Sequence, residues 1–106
     1  MEIDIAFNQV LIEYEEATSK FGAFHSAHEG YAVLLEEVDE LWDAVKMKKT
    51  DLDKKGRNRQ QALAHEAIQC AAMSLRFLVD ICKIKDLTSP SSSKKYYDNL
   101  NKDDSE

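Results

Sequence analysis

Chain-breaking residues are scarce in this sequence, and their scarcity limits the possible folds more than any other feature. Only 3 glycines and 1 proline occur among 106 residues. Because these two residue types mark most turns, a chain so poor in them favours long helices over many short strands. A chain of this length builds one domain with a small core, so we also expect oligomerisation. The expected fold class is all-α.

Apolar residues recur at helical spacing in three segments. The predicted helices cover about 3–20, 26–48 and 58–84. Ser26 and Glu29 predict a reciprocal capping box at the start of the second helix. Asn58 with Gln61 is a weaker cap for the third. We therefore expect an antiparallel bundle of three helices.

The composition changes near the end of the third predicted helix. Residues 1–86 form the predicted helical domain, and 87–106 begin with a serine-rich linker. Such a linker buries too little apolar surface to order itself. Residues 94–100 predict a short C-terminal helix. We expect a second copy of the chain to complete the bundle.

The charge balance excludes some partners and leaves others open. The net charge is -6, so the chain lacks the basic surface that tracks a nucleic acid polymer. A carboxylate cluster can still recruit a divalent cation and then bind small phosphorylated ligands. The two cysteines lie in one predicted helix, too far apart to bridge, and no leader or membrane-length apolar run is present. These features predict a cytoplasmic protein with no membrane partner.

Carboxylates gather on one side of the second predicted helix. This acidic stripe consists of Glu36, Glu37, Glu40 and Asp43. The opposite stripe is apolar and consists of Leu34, Leu35, Val38, Leu41, Trp42 and Val45. Like charges at this spacing repel, so the stripe calls for a cation or basic partners. The alternative is an ordinary solvated acidic face.

The third predicted helix is apolar around most of its circumference. Glu66, Gln69 and Asp80 nevertheless share one stripe with Met73 and Phe77. Polar groups set in an apolar face need partners, because an unpaired buried carboxylate is too costly to persist. If this stripe faced the acidic stripe of the second helix, the two would form an oxygen-rich cage.

Two short motifs resemble the split acidic signature of the MazG-like, all-α nucleoside triphosphate pyrophosphatases. The first is Leu-Glu-Glu-Val-Asp-Glu-Leu at 35–41, and Glu-Ala-Ile-Gln at 66–69 follows about 25 residues later. The similarity extends over about 26–80 and is closest to short members of the family found in phage genomes. In that family, two carboxylates three residues apart precede a carboxylate and an aspartate on another helix.

The resemblance implies a ligand set for magnesium, with manganese as a substitute. It assigns Glu37, Glu40 and Glu66 as ligands and places Gln69 where the family has its aspartate. Glutamine offers a neutral carbonyl oxygen, so one negative charge is missing. Glu36 is a candidate for orienting the attacking water. Asp43 or Asp80 are candidates for restoring the lost charge.

The resemblance also implies a reaction. Magnesium-dependent attack of water on the α-phosphorus of a nucleoside triphosphate releases a nucleoside monophosphate and pyrophosphate. Family members resembling this chain are dimers or tetramers, and their suggested role is to remove unwanted nucleotides. The sequence contains no glycine-rich phosphate loop or nucleophile motif, which agrees with a reaction that needs no protein nucleophile.

Four further residues are candidates for binding substrate: His28, Trp42, Arg76 and Asp80. His28 is placed to contact phosphate or base, or to lie on the surface near a helix start. Arg76 suits phosphate, or an ion pair with Asp80 one turn later or with a neighbouring subunit. Trp42 suits base stacking, or core packing. Weaker phosphate candidates, which equally fit loop and helix-end positions, are Lys46, Lys48, Arg57 and Arg59.

Two rival functions remain beside the hydrolase. A carboxylate-bridged di-iron bundle also builds an oxygen cage, but it needs Glu-x-x-His pairs, which this sequence lacks. A catalytically silent helical oligomer keeps the fold and binds metal or nucleotide in a structural or regulatory role. The silent module remains an alternative because Gln69 removes one negative charge from the expected ligand set.

Overall fold

Three long helices dominate the computed structural model, which describes residues 1–87. The elements are α1 (Glu2–Phe21), α2 (Ala27–Lys46), α3 (Arg59–Asp80) and the short α4 (Ile84–Leu87). No strand occurs among the described residues, where one isolated bridge pairs Leu52 with Asn58. The predicted all-α fold is confirmed. The serine-rich linker and the helix predicted at 94–100 lie outside the described residues.

The third helix is the centre of the fold. It packs against both α1 and α2, which do not pack against each other. Gly30 lies beside Phe77, and Val45 lies beside Arg59, so α2 and α3 run antiparallel. This central position accounts for the apolar circumference of α3. The main cluster of buried side chains is small and consists of Ala17, Phe24, Ala72 and Met73.

The turn between α1 and α2 is fastened to the end of α3. Gly22 has a φ of 69°, a left-handed conformation that favours glycine. Its carbonyl oxygen accepts a 2.6 Å hydrogen bond from Arg76 Nη2. The amide of Phe24 donates to Asp80 Oδ2 at 3.0 Å. Two charged side chains of α3 thus hold one turn.

The capping boxes of α2 and α3 form to a different extent than predicted. Ser26 accepts a hydrogen bond from the Glu29 amide, but the Glu29 carboxylate lies 3.2 Å from His25 Nδ1. The reciprocal box predicted there is therefore only half formed. At α3 the box is complete, because Asn58 accepts from the Gln61 amide while Gln61 Oε1 accepts from the Asn58 amide. The cap predicted as weaker is the fuller one.

The end of α3 comes earlier than predicted. The helix stops at Asp80, and the amides of Ile81 and Cys82 both donate to the Phe77 carbonyl oxygen. Lys83 then takes a left-handed conformation with a φ of 52°, which separates α3 from α4. The predicted continuation to Ile84 is wrong because this backbone reversal interrupts it.

A glycine allows α2 and α3 to approach closely. A Cβ atom at Gly30 would lie 2.7 Å from Cδ2 of Phe77 and 3.2 Å from Cδ2 of Phe24. Both distances are shorter than ordinary carbon contacts. The crossing therefore brings the two helices near enough for side chains further along to meet. Over residues 1–87, no helix combines the length and the apolar character needed to cross a bilayer.

Candidate functional site

Three glutamates from two helices converge at the α2–α3 interface. Glu37 and Glu40 lie one turn apart on α2, and Glu66 lies on α3. One carboxylate oxygen from each falls within 4.8 Å of the other two. The antiparallel packing brings them together, because the acidic side of α2 faces the polar stripe of α3. We call these three residues the glutamate cluster.

Burial leaves two oxygens of the glutamate cluster without partners. Oε2 of Glu37 and Oε2 of Glu66 are buried and accept no hydrogen bond. Burial, reinforced by the neighbouring carboxylate of Glu40, raises the pKa of Glu37 from 4.5 to about 7. The same two causes raise the pKa of Glu66 to about 7, partly opposed by the positive charge of Arg57.

These orphaned oxygens fit a hard divalent cation. A buried carboxylate oxygen without a hydrogen bond is costly when charged, and a bound cation removes that cost. Magnesium and manganese prefer carboxylate oxygens, and magnesium usually keeps several waters beside a few such ligands. The donor set and the missing partners therefore suit this class of metal ion.

A cleft of about 650 Å³ opens beside the cluster, between the end of α2, the start of α3 and the connection at 47–58. The helices line it with Glu40, Asp43 and Glu66, and the connection lines it with Asp53, Lys54, Lys55 and Arg57. We call it the loop-side cleft. Acidic and basic side chains thus line one space, which is large enough for a small phosphorylated molecule.

Asp53 fixes the backbone of the connection where it lines this cleft. Its Oδ1 accepts hydrogen bonds from the amides of Arg57 at 2.8 Å and Lys55 at 2.9 Å. The Arg57 guanidinium lies 3.5 Å from its Oδ2. The bond from the Arg57 amide is the main cause that holds the pKa of Asp53 below its usual value. The connection is therefore a folded turn that presents its lysines at a defined place.

A second cavity, of about 290 Å³, lies on the other side of the cluster near the α1–α2 turn. Glu37, Gln69 and Arg76 line this turn-side cavity together with Phe21 and Phe24. Arg76 is only 3% exposed, and its guanidinium lies 4.2 Å from the centre of the Phe24 ring. Its Nε is buried without a partner.

Several other predicted site residues lie near the glutamate cluster. Gln69 is half-buried one turn after Glu66, and it lines the turn-side cavity together with the exposed Glu36. Asp43 lines the loop-side cleft, where its Oδ1 lies 3.2 Å from Lys46 Nζ. Arg57 lines the same cleft. The structure thus groups the acidic stripe of α2 and the start of α3 around one centre.

Three predicted substrate-binding residues lie elsewhere. Asp80 is fourteen residues beyond Glu66 on α3, about 21 Å along the helix axis, and its carboxylate holds the Phe24 amide. It therefore does not restore the charge missing at Gln69. His28 is exposed and lines neither cavity. Trp42 is 57% exposed on the outer side of α2, so the core position considered for it is wrong within one chain.

The ion pair with Asp80 considered for Arg76 does not form, and an ion pair with a neighbouring subunit stays a prediction. Its guanidinium donates to the Gly22 carbonyl oxygen and to Met73 Sδ, at 2.6 and 3.4 Å, while Asp80 is occupied by a backbone amide. The two side chains thus act on the same turn without pairing with each other. Arg76 still lines the turn-side cavity.

Lys54 and Lys55 were not identified from the sequence. They stand in a stretch that predicts no more than a hydrophilic connection, and only its fold brings them into the lining of the loop-side cleft. The available signal was a set of basic residues between the acidic stripe of α2 and Glu66. Two other basic candidates are engaged elsewhere: Arg59 donates to the Val45 carbonyl oxygen at 3.1 Å, and Lys46 pairs with Asp43.

Comparisons with known protein families, with curated proteins and with solved structures found no match to this chain. The MazG-like resemblance therefore stays a prediction from the two motifs. What the structure adds is independent of it: the carboxylates of both motifs meet in space.

Proposed function

We propose that this protein is a magnesium-dependent nucleoside triphosphate pyrophosphohydrolase of the MazG-like kind. One observation carries the proposal: three glutamates lie within 4.8 Å of one another, and two of them bury oxygens that no hydrogen bond satisfies. An ordinary solvated acidic face would not bury these oxygens between two helices. The same three residues are those that the sequence motif assigns to the metal.

The chain's own residues suit each part of the reaction. Glu37, Glu40 and Glu66 would hold magnesium, which would neutralise phosphate oxygens and lower the pKa of water when bound. Glu36 stands beside Glu37 at the exposed rim and orients the attacking water. The water oxygen bonds to the α-phosphorus, the bond from that phosphorus to the bridging oxygen breaks, and pyrophosphate leaves. The protons of the water pass to solvent.

We further propose that the working unit is a homodimer or homotetramer. An outer stripe of α2 supports this, because its apolar side chains are 39% to 62% exposed. The stripe consists of Tyr31, Leu35, Val38, Trp42 and Val45. Alternating steps of four and three residues are typical of helices that pair with another helix. No helix of residues 1–87 covers this stripe. We place the oligomer in the cytoplasm, where nucleotides are used.

A silent metal- or nucleotide-binding module is the second candidate. Gln69 favours it, because this neutral side chain stands one turn after Glu66 where the family pattern has a carboxylate. A site with fewer negative charges binds fewer or weaker metal ions. Such a module would bind nucleotide without releasing pyrophosphate.

The test is pyrophosphate release from a panel of canonical and modified nucleoside triphosphates with magnesium. We expect hydrolysis by the natural protein and its loss in Glu40→Gln, which removes one charge from the cluster. The matched control is Asp39→Asn, an exposed neighbour on the same helix that lines neither cavity. Binding without turnover, with manganese also tried, would replace the hydrolase by the silent module.

A further inference from the structure

The glutamate cluster separates two spaces of different chemistry. The loop-side cleft faces the cluster with Lys54, Lys55 and Arg57. The turn-side cavity offers one buried cation, Arg76, whose guanidinium already donates to the Gly22 carbonyl oxygen. A chain of phosphates carries several negative charges, so the cleft with more cations is the better place for it.

Lys54 and Lys55 are the two cations of the cleft that remain available. Arg57 is paired with Asp53, at 3.5 Å. Neither lysine forms an ion pair with any residue in the described part of the chain. Their backbone is nevertheless fixed, because the Lys55 amide donates to Asp53 Oδ1 at 2.9 Å. Two ammonium groups without an ion-pair partner thus line the same cleft as Glu40 and Glu66.

We propose that Lys54 and Lys55 bind the β- and γ-phosphates of the substrate, the part that leaves as pyrophosphate. The inference rests on the proposed hydrolysis, and it adds a direction to it: the leaving group lies in the loop-side cleft, with the α-phosphate at the glutamate cluster. Charge develops on the leaving pyrophosphate as its bond to the α-phosphorus breaks, and two ammonium groups stabilise that charge. Long flexible stems let both lysines reach phosphate oxygens.

The experiment measures equilibrium binding of inorganic pyrophosphate with magnesium by calorimetry, which needs no turnover. The variant is Lys54→Ala with Lys55→Ala. The matched control is Lys20→Ala with Lys49→Ala, two exposed lysines that line neither cavity. Both double variants lose two positive charges, so their difference reports position and not net charge. Circular dichroism confirms that each one is folded.

We expect the Lys54 and Lys55 variant to bind pyrophosphate at least about tenfold more weakly, the change that about 1.4 kcal/mol produces. The control should change by less than about twofold. Equal losses in the two variants, no loss in either, or no binding by the natural protein would overturn the inference. Lysine-dependent binding by a protein that hydrolyses no triphosphate would keep the pyrophosphate site and reject the hydrolase. Turnover together with pyrophosphate binding that does not depend on these lysines would keep the hydrolase and reject the pyrophosphate site.

Discussion

Replacing Glu37 by glutamine should stabilise the metal-free protein at alkaline pH. The raised pKa of this carboxyl means that the folded chain holds its proton more tightly than the unfolded chain does. Its contribution to stability is therefore fully present below pH 4.5 and is lost as the pH rises through about 7. Glutamine keeps the shape and stays neutral.

The magnitude follows from the size of the pKa change. A rise from 4.5 to about 7 corresponds to an upper bound of about 3.4 kcal/mol, since each pKa unit is worth about 1.36 kcal/mol. The carboxylate is partly exposed, and solvent screens it, so we expect about 1–2 kcal/mol at pH 8. For a domain of this size, that raises Tm by about 5–10 °C.

Thermal and urea unfolding in the presence of a chelator measure this effect at pH 8 and below pH 4.5. Glu37→Gln should be more stable than the natural protein at pH 8 and equal to it at the lower pH. The control is Glu15→Gln, an exposed glutamate of α1 far from the cluster, which should change little at either pH. A gain of the same size at both pH values, or a loss at pH 8, would refute the reasoning. Magnesium should remove the advantage of the variant, because the cation needs the charged form.

Three other changes test separate parts of the account. Gln69→Asp adds a charge one turn after Glu66, so it should tighten manganese binding about tenfold in calorimetry; unchanged affinity would show that position 69 does not act on the metal. Asp80→Ala leaves the Phe24 amide without its partner and should lower the free energy of unfolding in urea by about 1–3 kcal/mol while leaving KM unchanged. A raised KM with unchanged stability would return Asp80 to the substrate site. Trp42→Glu places a charge in the outer stripe of α2 and should convert the oligomer to monomer in light scattering. A natural protein that is already monomeric would contradict the proposed assembly.

Local patterns predicted the helices and the convergence of the acidic residues. The scarcity of chain breakers and the apolar periodicity lie in short stretches, so they are readable without tertiary structure. The closeness of Glu37 and Glu40 to Glu66 was predictable from one further argument. A carboxylate set in the apolar face of α3 needs polar partners, and the acidic stripe of α2 offers them. Both stripes can be read from the helical spacing of residues within each segment.

Features that depend on distant contacts were not predictable in the same way. The early end of α3 depends on the backbone of Lys83, whose left-handed conformation no residue type signals. The hydrogen bond from the Phe24 amide to the Asp80 carboxylate joins residues 56 positions apart. The place of Lys54 and Lys55 depends on how Asp53 folds the connection. In each case the deciding interaction is made only once the helices are packed.

Hydrolysis of a nucleoside triphosphate in ¹⁸O-labelled water, with magnesium, tests the central claim most directly. If the glutamate cluster directs water to the α-phosphorus, the products are nucleoside monophosphate and pyrophosphate, and mass spectrometry finds the label in the monophosphate. Glu66→Gln should abolish this labelling, because it removes a charge from the cluster. Label in the pyrophosphate, release of inorganic phosphate with a nucleoside diphosphate, or labelling that survives in Glu66→Gln would contradict the account.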